Sequence, residues 1–225
     1  MLFIKENPKS LLAEKYRNLR TSIEYSSVDK KLQTIVVTSS DKNEGKSTVS
    51  SNLAYVLAQG EKKVLIVDCD LRKPTVHKKF ELSNEVGLTE VLVDKINLDK
   101  AIQKLDYGVD VLTSGMIPPN PAEIVGSKSV ESLLDHLKTI YDYIIIDTPP
   151  VGIVTDGIVL SGKVDGTILV VRANKTKDIN VIESYNELKK VNANILGTVI
   201  NIVETPKDKY GYYGYQEKKS KRNNK

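Results

Sequence analysis

The run Ser39-Ser40-Asp41-Lys42-Asn43-Glu44-Gly45-Lys46-Ser47-Thr48 has the residue types of a phosphate-gripping loop. It directly follows the apolar run Leu32 to Val37 and precedes a helix-like stretch, Val49 to Gln59. A polyphosphate needs several backbone N–H groups aimed at it, a helix N-terminus behind them and a cation. Gly45 lets the backbone approach closely, Lys46 reaches the β and γ oxygens, and the Ser47 hydroxyl can ligate Mg²⁺. ATP and Mg²⁺ are therefore expected across Ser40, Asp41, Lys42, Asn43, Glu44, Gly45, Lys46, Ser47 and Thr48. Ser40 stands where the general motif opens on Gly.

Two acidic motifs follow. Val64-Leu65-Ile66-Val67-Asp68-Cys69-Asp70-Leu71-Arg72-Lys73-Pro74 reads as a buried strand emerging into two aspartates. On an extended chain Asp68 and Asp70 share a face. Near a phosphate loop, one carboxylate can help hold Mg²⁺ and the other can accept a proton from an attacking hydroxyl. The purely structural alternative is that they cap the next turn and pair with Arg72 or Lys73. Cys69 points the other way and reads as a small core side chain. The third motif, Tyr143-Ile144-Ile145-Ile146-Asp147-Thr148-Pro149-Pro150, is an apolar strand ending in Asp, a usual source of a carboxylate for the metal's water shell. Pro149 and Pro150 end that strand. The set expected to carry catalysis is Lys46, Asp68, Asp70 and Asp147, with Ser47, Asp70 and Asp147 organising the metal. His77 and His136 lack ligand-like spacing, so zinc is not expected, and neither a Gly-x-Ser-x-Gly elbow nor a Cys/His pairing is legible.

These residues must be positioned by strands and helices. Strands are predicted at Leu32–Thr38, Val64–Cys69, Val109–Leu112, Tyr143–Asp147, Thr167–Arg172 and Ile195–Ile202, several of them apolar almost throughout. Helices are predicted at 8–27, Val49–Gln59, Leu88–Val93, Ser129–Ile140 and Ile179–Val191. Alternating βα units predict an α/β fold of the P-loop NTPase kind, a mainly parallel sheet flanked by helices on both faces. All three motifs sit at strand ends, where ligands collect in such folds. Residues 1–203 form the expected domain and 204–225 a flexible tail.

The 225 residues suit one domain. A lone cysteine excludes an internal disulfide and fits a reducing compartment. Neither a membrane-spanning run nor a signal peptide is legible, which predicts a cytoplasmic protein that reaches the membrane only through a partner. The net charge of +4 is uneven: beyond residue 203 stand seven basic residues and three acids, so the tail carries all of it. Tyr occurs 11 times against two Phe and no Trp.

The order of these motifs resembles the bacterial tyrosine kinases (BY-kinases), in particular the separate cytosolic kinase subunit of Gram-positive capsule systems, over nearly the whole chain. The matching residues are Gly45-Lys46-Ser47-Thr48, Val67 to Pro74 and Ile145 to Pro150. The resemblance implies that Asp68 deprotonates the incoming tyrosine while Asp70 lies nearer the metal; Arg72 joins the nucleotide-binding set. Glu14, Arg17 and Arg20 match a Glu-x-x-Arg-x-x-Arg pattern linked in the family to ring-like self-assembly, although Glu14 and Arg17 could equally pair within one helix. Tyr210, Tyr212, Tyr213 and Tyr215 look like the family's autophosphorylated cluster. The resemblance further implies regulation of capsular or extracellular polysaccharide synthesis, a membrane-embedded activator of the co-polymerase type, a cognate tyrosine phosphatase, and no nucleic-acid partner. The family usually has Pro-Gly where this chain has Lys42-Asn43; Asn tolerates left-handed backbone angles, so Asn43 can preserve the loop. Asn201 is the one candidate adenine contact. The rival readings are a partition- or positioning-type ATPase switch that binds DNA or membrane, and a non-catalytic scaffold.

Overall fold

Apolar side chains on alternate positions of a buried strand go to opposite faces of the sheet. In β1 (Thr34–Ser39), Ile35 and Val37 join one core while Val36 joins the other. The same sorting holds in β2 (Val64–Asp68), where Ile66 is separated from Leu65 and Val67. These strands are buried on both faces, which is why their sequences are almost continuously apolar. Both faces must then be covered by helices, and the computed structural model, which describes residues 2–26 and 31–202, shows that they are.

Helices α1 (Phe3–Glu6), α2 (Leu11–Ser26) and α3 (Lys46–Ala58) are on one side, with α4 (Val76–Phe80) after β2. The chain then runs through α5 (Leu88–Leu92), α6 (Leu98–Ala101), β3 (Ile102–Lys104) and β4 (Val109–Leu112). Helices α7 (Pro121–Gly126) and α8 (Lys128–Lys138) precede β5 (Tyr143–Asp147), and α8 contributes Val130, Leu134 and Leu137 to the second core. The last elements are α9 (Asp156–Ser161), β6 (Gly166–Arg172), α10 (Asp178–Lys190) and β7 (Ile195–Asn201).

The sheet order is β3-β4-β2-β5-β1-β6-β7, and only the β3–β4 pair is antiparallel. This is the mainly parallel α/β architecture the sequence predicts. All six predicted strands form. The edge strand β3 was not foreseen, because its three half-exposed residues carry no apolar run. The short helices α1, α4, α6, α7 and α9 were also missed; four to six residues are too few to show a helical period.

The register brings the three motifs to one edge. Val37 of β1 and Asp68 of β2 both lie beside Asp147 of β5, on adjacent parallel strands. Helix α2 packs on α3 through Ala13, Tyr16, Leu19 and Ile23, one stripe at helical spacing. The tyrosine cluster and basic tail lie outside the described residues.

At the opposite end of the sheet, one Asp165 carboxylate oxygen accepts the Gln33 N–H at 3.0 Å, the Thr34 N–H at 2.8 Å and the Thr34 hydroxyl at 2.8 Å. Burial alone would raise the pKa of Asp165, but Thr34, Gln33 and Lys138 together lower it. A lowered carboxylate pKa stabilises the fold above the ordinary carboxylate range, and that contribution is lost as pH falls through the lowered value. Asp165→Ala strands two N–H donors and should cost about 1–3 kcal/mol at neutral pH. Urea melts across pH should show the gap from wild type closing in acid; a constant gap would assign the effect to packing.

Candidate active site

Residues 40–45 connect β1 to the N-terminus of α3. Asn43 takes φ +62° and Gly45 φ +89°, so the loop curls through two left-handed residues. Asn43 supplies the conformation that a glycine would supply there. The N–H groups of Lys46, Ser47 and Thr48 belong to the first turn of α3 and have no acceptor within their own helix. These residues line a cavity of about 430 Å³ together with Lys42, Asn43 and Gly45.

The loop is held from behind. The Glu44 side chain, 2% exposed, accepts the Asp41 N–H at 2.9 Å and the Thr176 hydroxyl. Asn201 donates its side-chain N–H to the Glu44 carbonyl at 2.9 Å. Asn201, the candidate adenine contact, thus has its amide N–H committed to the loop. A Cβ on Gly45 would meet the Asn201 nitrogen at 2.1 Å. Gly45→Ala combines this collision with a left-handed φ and should weaken nucleotide binding by about 100-fold, roughly 3 kcal/mol. Titration calorimetry with ADP and Mg²⁺ measures it; affinity within threefold of wild type would show that the loop accommodates the methyl group.

Lys46 joins the three motifs. Its Nζ donates to Asp70 at 2.9 Å and to Asp147 at 3.5 Å, and lies 3.2 Å from the Ser47 hydroxyl. The Ser47 hydroxyl donates to one Asp147 oxygen at 2.6 Å, and Ser50 donates to the other at 2.9 Å. A hydroxyl that donates to Asp147 keeps its oxygen lone pairs for a cation. Ser50 escaped the sequence reading; its signal was its place one helical turn beyond Ser47. Burial would lower the Lys46 pKa, but Asp147 and Asp70 outweigh it and hold the ammonium above its ordinary value. Burial raises the Asp147 pKa against the opposing pull of Lys46, Ser47 and Ser50.

Asp68 is fully buried. One oxygen accepts the Asp70 N–H at 3.1 Å, and the other accepts Thr75 and Val76 N–H at 3.1 and 3.0 Å. It ties down the turn into α4, as the structural alternative had it, and it does not line the cavity. Burial, reinforced by Asp147, raises its pKa to about 8. Asp70 does line the cavity, and its other oxygen accepts the Lys73 N–H at 3.0 Å. Arg72 pairs with neither aspartate of its own motif. It forks onto Asp156 of α9 at 3.0 and 3.2 Å while bordering the cavity. Lys42, Lys73 and Lys79 complete a cationic rim suited to a polyphosphate.

Ser40 and Asp41, expected among the nucleotide contacts, line a separate cavity behind the loop. Cys69 is in the core. Arg17 pairs with Glu14 on α2 and donates to the Pro8 carbonyl at 2.7 Å. Arg20 donates to the Val56 carbonyl at 2.9 Å. Among the described residues no three His, Cys, Asp or Glu side chains are arranged to hold a metal. The oxygen donors Ser47, Asp70 and Asp147 still fit Mg²⁺, which keeps most of its water and takes one or two carboxylates plus phosphate oxygens. No helix among the described residues is long and apolar enough to cross a membrane.

A family model described as an AAA domain matches residues 32–200. The tyrosine-protein kinase YwqD of Bacillus subtilis is 44% identical, over 93% of this chain and 90% of its own. The Staphylococcus aureus protein named as putative tyrosine-protein kinase CapB is 36% identical over 96% of this chain and 95% of its own. Among solved structures, the kinase domain of Escherichia coli tyrosine kinase ETK superposes with a TM-score of 0.85 at 36% identity, covering 94% of this chain and 85% of that one. The cell division ATPase MinD of Pyrococcus furiosus reaches 0.64 at 26% identity, covering 75% of this chain and 71% of its own. With Lys46 drawing three strand ends together, and with relatives matched over almost their whole length, the chain belongs to the bacterial tyrosine-protein kinases.

Proposed function

We propose that this kinase transfers the γ-phosphoryl group of ATP to tyrosines of its own C-terminal cluster, Tyr210, Tyr212, Tyr213 and Tyr215, on a neighbouring copy. The observation that supports this most is that Lys46, on the cavity wall with Asp70, bonds both Asp70 and the buried Asp147 just behind it. Ser47, Asp70 and Asp147 would hold Mg²⁺, which would supply positive charge against the phosphates. Lys46 leaves the carboxylates to meet the transferring phosphoryl group. Lys42, Arg72 and the N–H groups of the loop and first turn of α3 orient the polyphosphate.

Asp68 is the proposed base. Its raised pKa makes it a stronger proton acceptor than an exposed carboxylate, which suits a tyrosine hydroxyl of ordinary pKa about 10. Its oxygens are held by backbone N–H groups, so this role requires the turn from Asp70 to Val76 to move as the acceptor enters.

Residues 1–203 would form the catalytic domain and 204–225 the substrate tail. Glu14, Arg17 and Arg20 would exchange their bonds within the chain for bonds across a ring-like assembly. A membrane-embedded activator of the polysaccharide co-polymerase type would bring the cytoplasmic kinase to the inner membrane face, and a cognate phosphatase would reset it. Each phosphotyrosine adds about −1.5 to −2 charges, so modification turns the basic tail negative and releases it. The cycle would regulate capsular or extracellular polysaccharide synthesis and export.

Mass spectrometry of the full chain after incubation with Mg-ATP and the activator's cytosolic segment should find phosphate on the cluster. Light scattering should then record a fall in assembled mass. Phosphate released to water with unmodified tyrosines would favour the positioning-ATPase reading, and an unchanged mass would sink the disassembly step.

A further inference from the structure

Asp156 opens α9, and its side chain is 0% exposed. A buried carboxylate must have its charge and both oxygens answered. Arg72 does this from the turn after β2: its Nε donates to one Asp156 oxygen at 3.0 Å and its Nη2 to the other at 3.2 Å. Asp156 does not line the phosphate cavity, whereas the Arg72 side chain does and is 40% exposed. The ion pair therefore has a dry end behind the cavity wall and an open end on it. Both ends are anchored. Arg72 lies two residues past Asp70, whose carboxylate bonds Lys46 at 2.9 Å. Helix α9 is seated against the turn after β5, where a Cβ on Gly157 would meet the Thr148 hydroxyl at 2.9 Å and the Pro149 carbonyl at 3.1 Å. Asp156 thus ties the second motif to the third.

A guanidinium is planar, with its N–H donors in fixed directions. The hydrogen bonds of the Arg72 side chain among the described residues both go to Asp156, through Nε and one Nη2 hydrogen. That side-on grip leaves the other edge, Nη1 with the second Nη2 hydrogen, uncovered. Two parallel N–H groups on one edge match two oxygens of a phosphoryl group. Lys46 marks where the β and γ oxygens of a bound polyphosphate arrive, and Arg72 borders the same cavity on the Asp70 side. We propose that Asp156 is a positioning residue for phosphoryl transfer, holding Arg72 so that its free Nη1–Nη2 edge grips the terminal phosphate of ATP. The proposal rests on the reading of this cavity as the ATP site. Asp156 acts only through Arg72 and never touches the nucleotide.

The test is a double-variant cycle on the full chain, read by titration calorimetry with Mg²⁺ and either ADP or a non-hydrolysable ATP analogue. Asp156→Asn keeps the side chain's size but removes its charge and one acceptor. It should weaken binding of the analogue about tenfold or more and leave ADP within about threefold of wild type. Arg72→Gln should do the same, and adding Asp156→Asn to it should cost nothing further, because the two residues act as one unit. Arg72→Lys keeps the charge but not the two-armed edge, so it too should lose affinity for the analogue. That variant changes only the half-exposed partner and carries the test if circular dichroism shows Asp156→Asn to be unfolded. Equal losses for the two nucleotides, or losses that add in the double variant, would make the fork a strut between the turn and α9 and overturn the proposal. Analogue affinity within about threefold of wild type in Arg72→Lys or in folded Asp156→Asn overturns it as well. If wild type binds neither nucleotide, the ATP reading of the cavity fails first, and the proposal falls with it.

Discussion

Lys46→Met is expected to lose phosphotransfer by about 10³-fold or more, because the cation that meets the developing charge is gone. The same change should alter stability in a way that betrays the resting site. Lys46 is the ammonium paired with Asp70 and Asp147, whose side chains are 6% and 0% exposed. Removing one partner of a buried ion pair costs about 3–5 kcal/mol when the other stays charged. Asp147 can instead take up a proton, since burial already raises its pKa. A raised carboxylate pKa means the folded state binds more protons than the unfolded one, so stability falls as pH rises. The variant should therefore remain folded, trail wild type most on the alkaline side, and recover as pH falls through the raised Asp147 value. Urea melts at several pH values check the stability, and radiolabel transfer checks the activity. An active variant, or a deficit that grows in acid, would contradict the assignment.

Asp68→Asn and Asp70→Asn should fail differently. Loss of the base should slow Asp68→Asn by about 10²–10⁴-fold and flatten the acidic limb of its pH–rate profile, since the titrating group is gone. Asp70→Asn should keep that limb and need more Mg²⁺ for half-maximal rate. Asparagine at position 68 also turns a donor toward backbone N–H groups that now find a carboxylate oxygen, so a drop in stability is expected as well. The pH profile separates the two effects. If Asp68→Asn is less stable but keeps the acidic limb, Asp68 holds the turn into α4 and another group takes the proton.

The sheet was legible because its central strands are buried on both faces, so Ile144-Ile145-Ile146 and Val64 to Val67 read as strands without ambiguity. Gly45, Lys46 and Ser47 were legible because their chemistry is local, set by one turn and the first residues of α3. What remained hidden depends on distant sequence. Arg72 finds Asp156 84 positions on, and Glu44 finds Thr176 132 positions on. Neither pairing leaves a mark on local spacing. The same holds for Ser40, read as a loop residue facing phosphate, which instead borders the cavity behind the loop together with Gly152 and residues of α10. Asp68 and Asp70 were expected to share a face in extended geometry, but β2 ends at Asp68 and the turn that follows sends Asp70 to the cavity and keeps Asp68 behind it.

The central claim is that three strand-end turns close around a magnesium-bound polyphosphate, and a crystal structure of the full chain with Mg²⁺ and a non-hydrolysable ATP analogue tests it most directly. The account predicts Lys46 Nζ within hydrogen-bond reach, about 3 Å, of a phosphate oxygen, with the metal beside the Ser47 hydroxyl and Asp147. Phosphates placed outside this cavity, with Lys46 still bonded to Asp70, would contradict it.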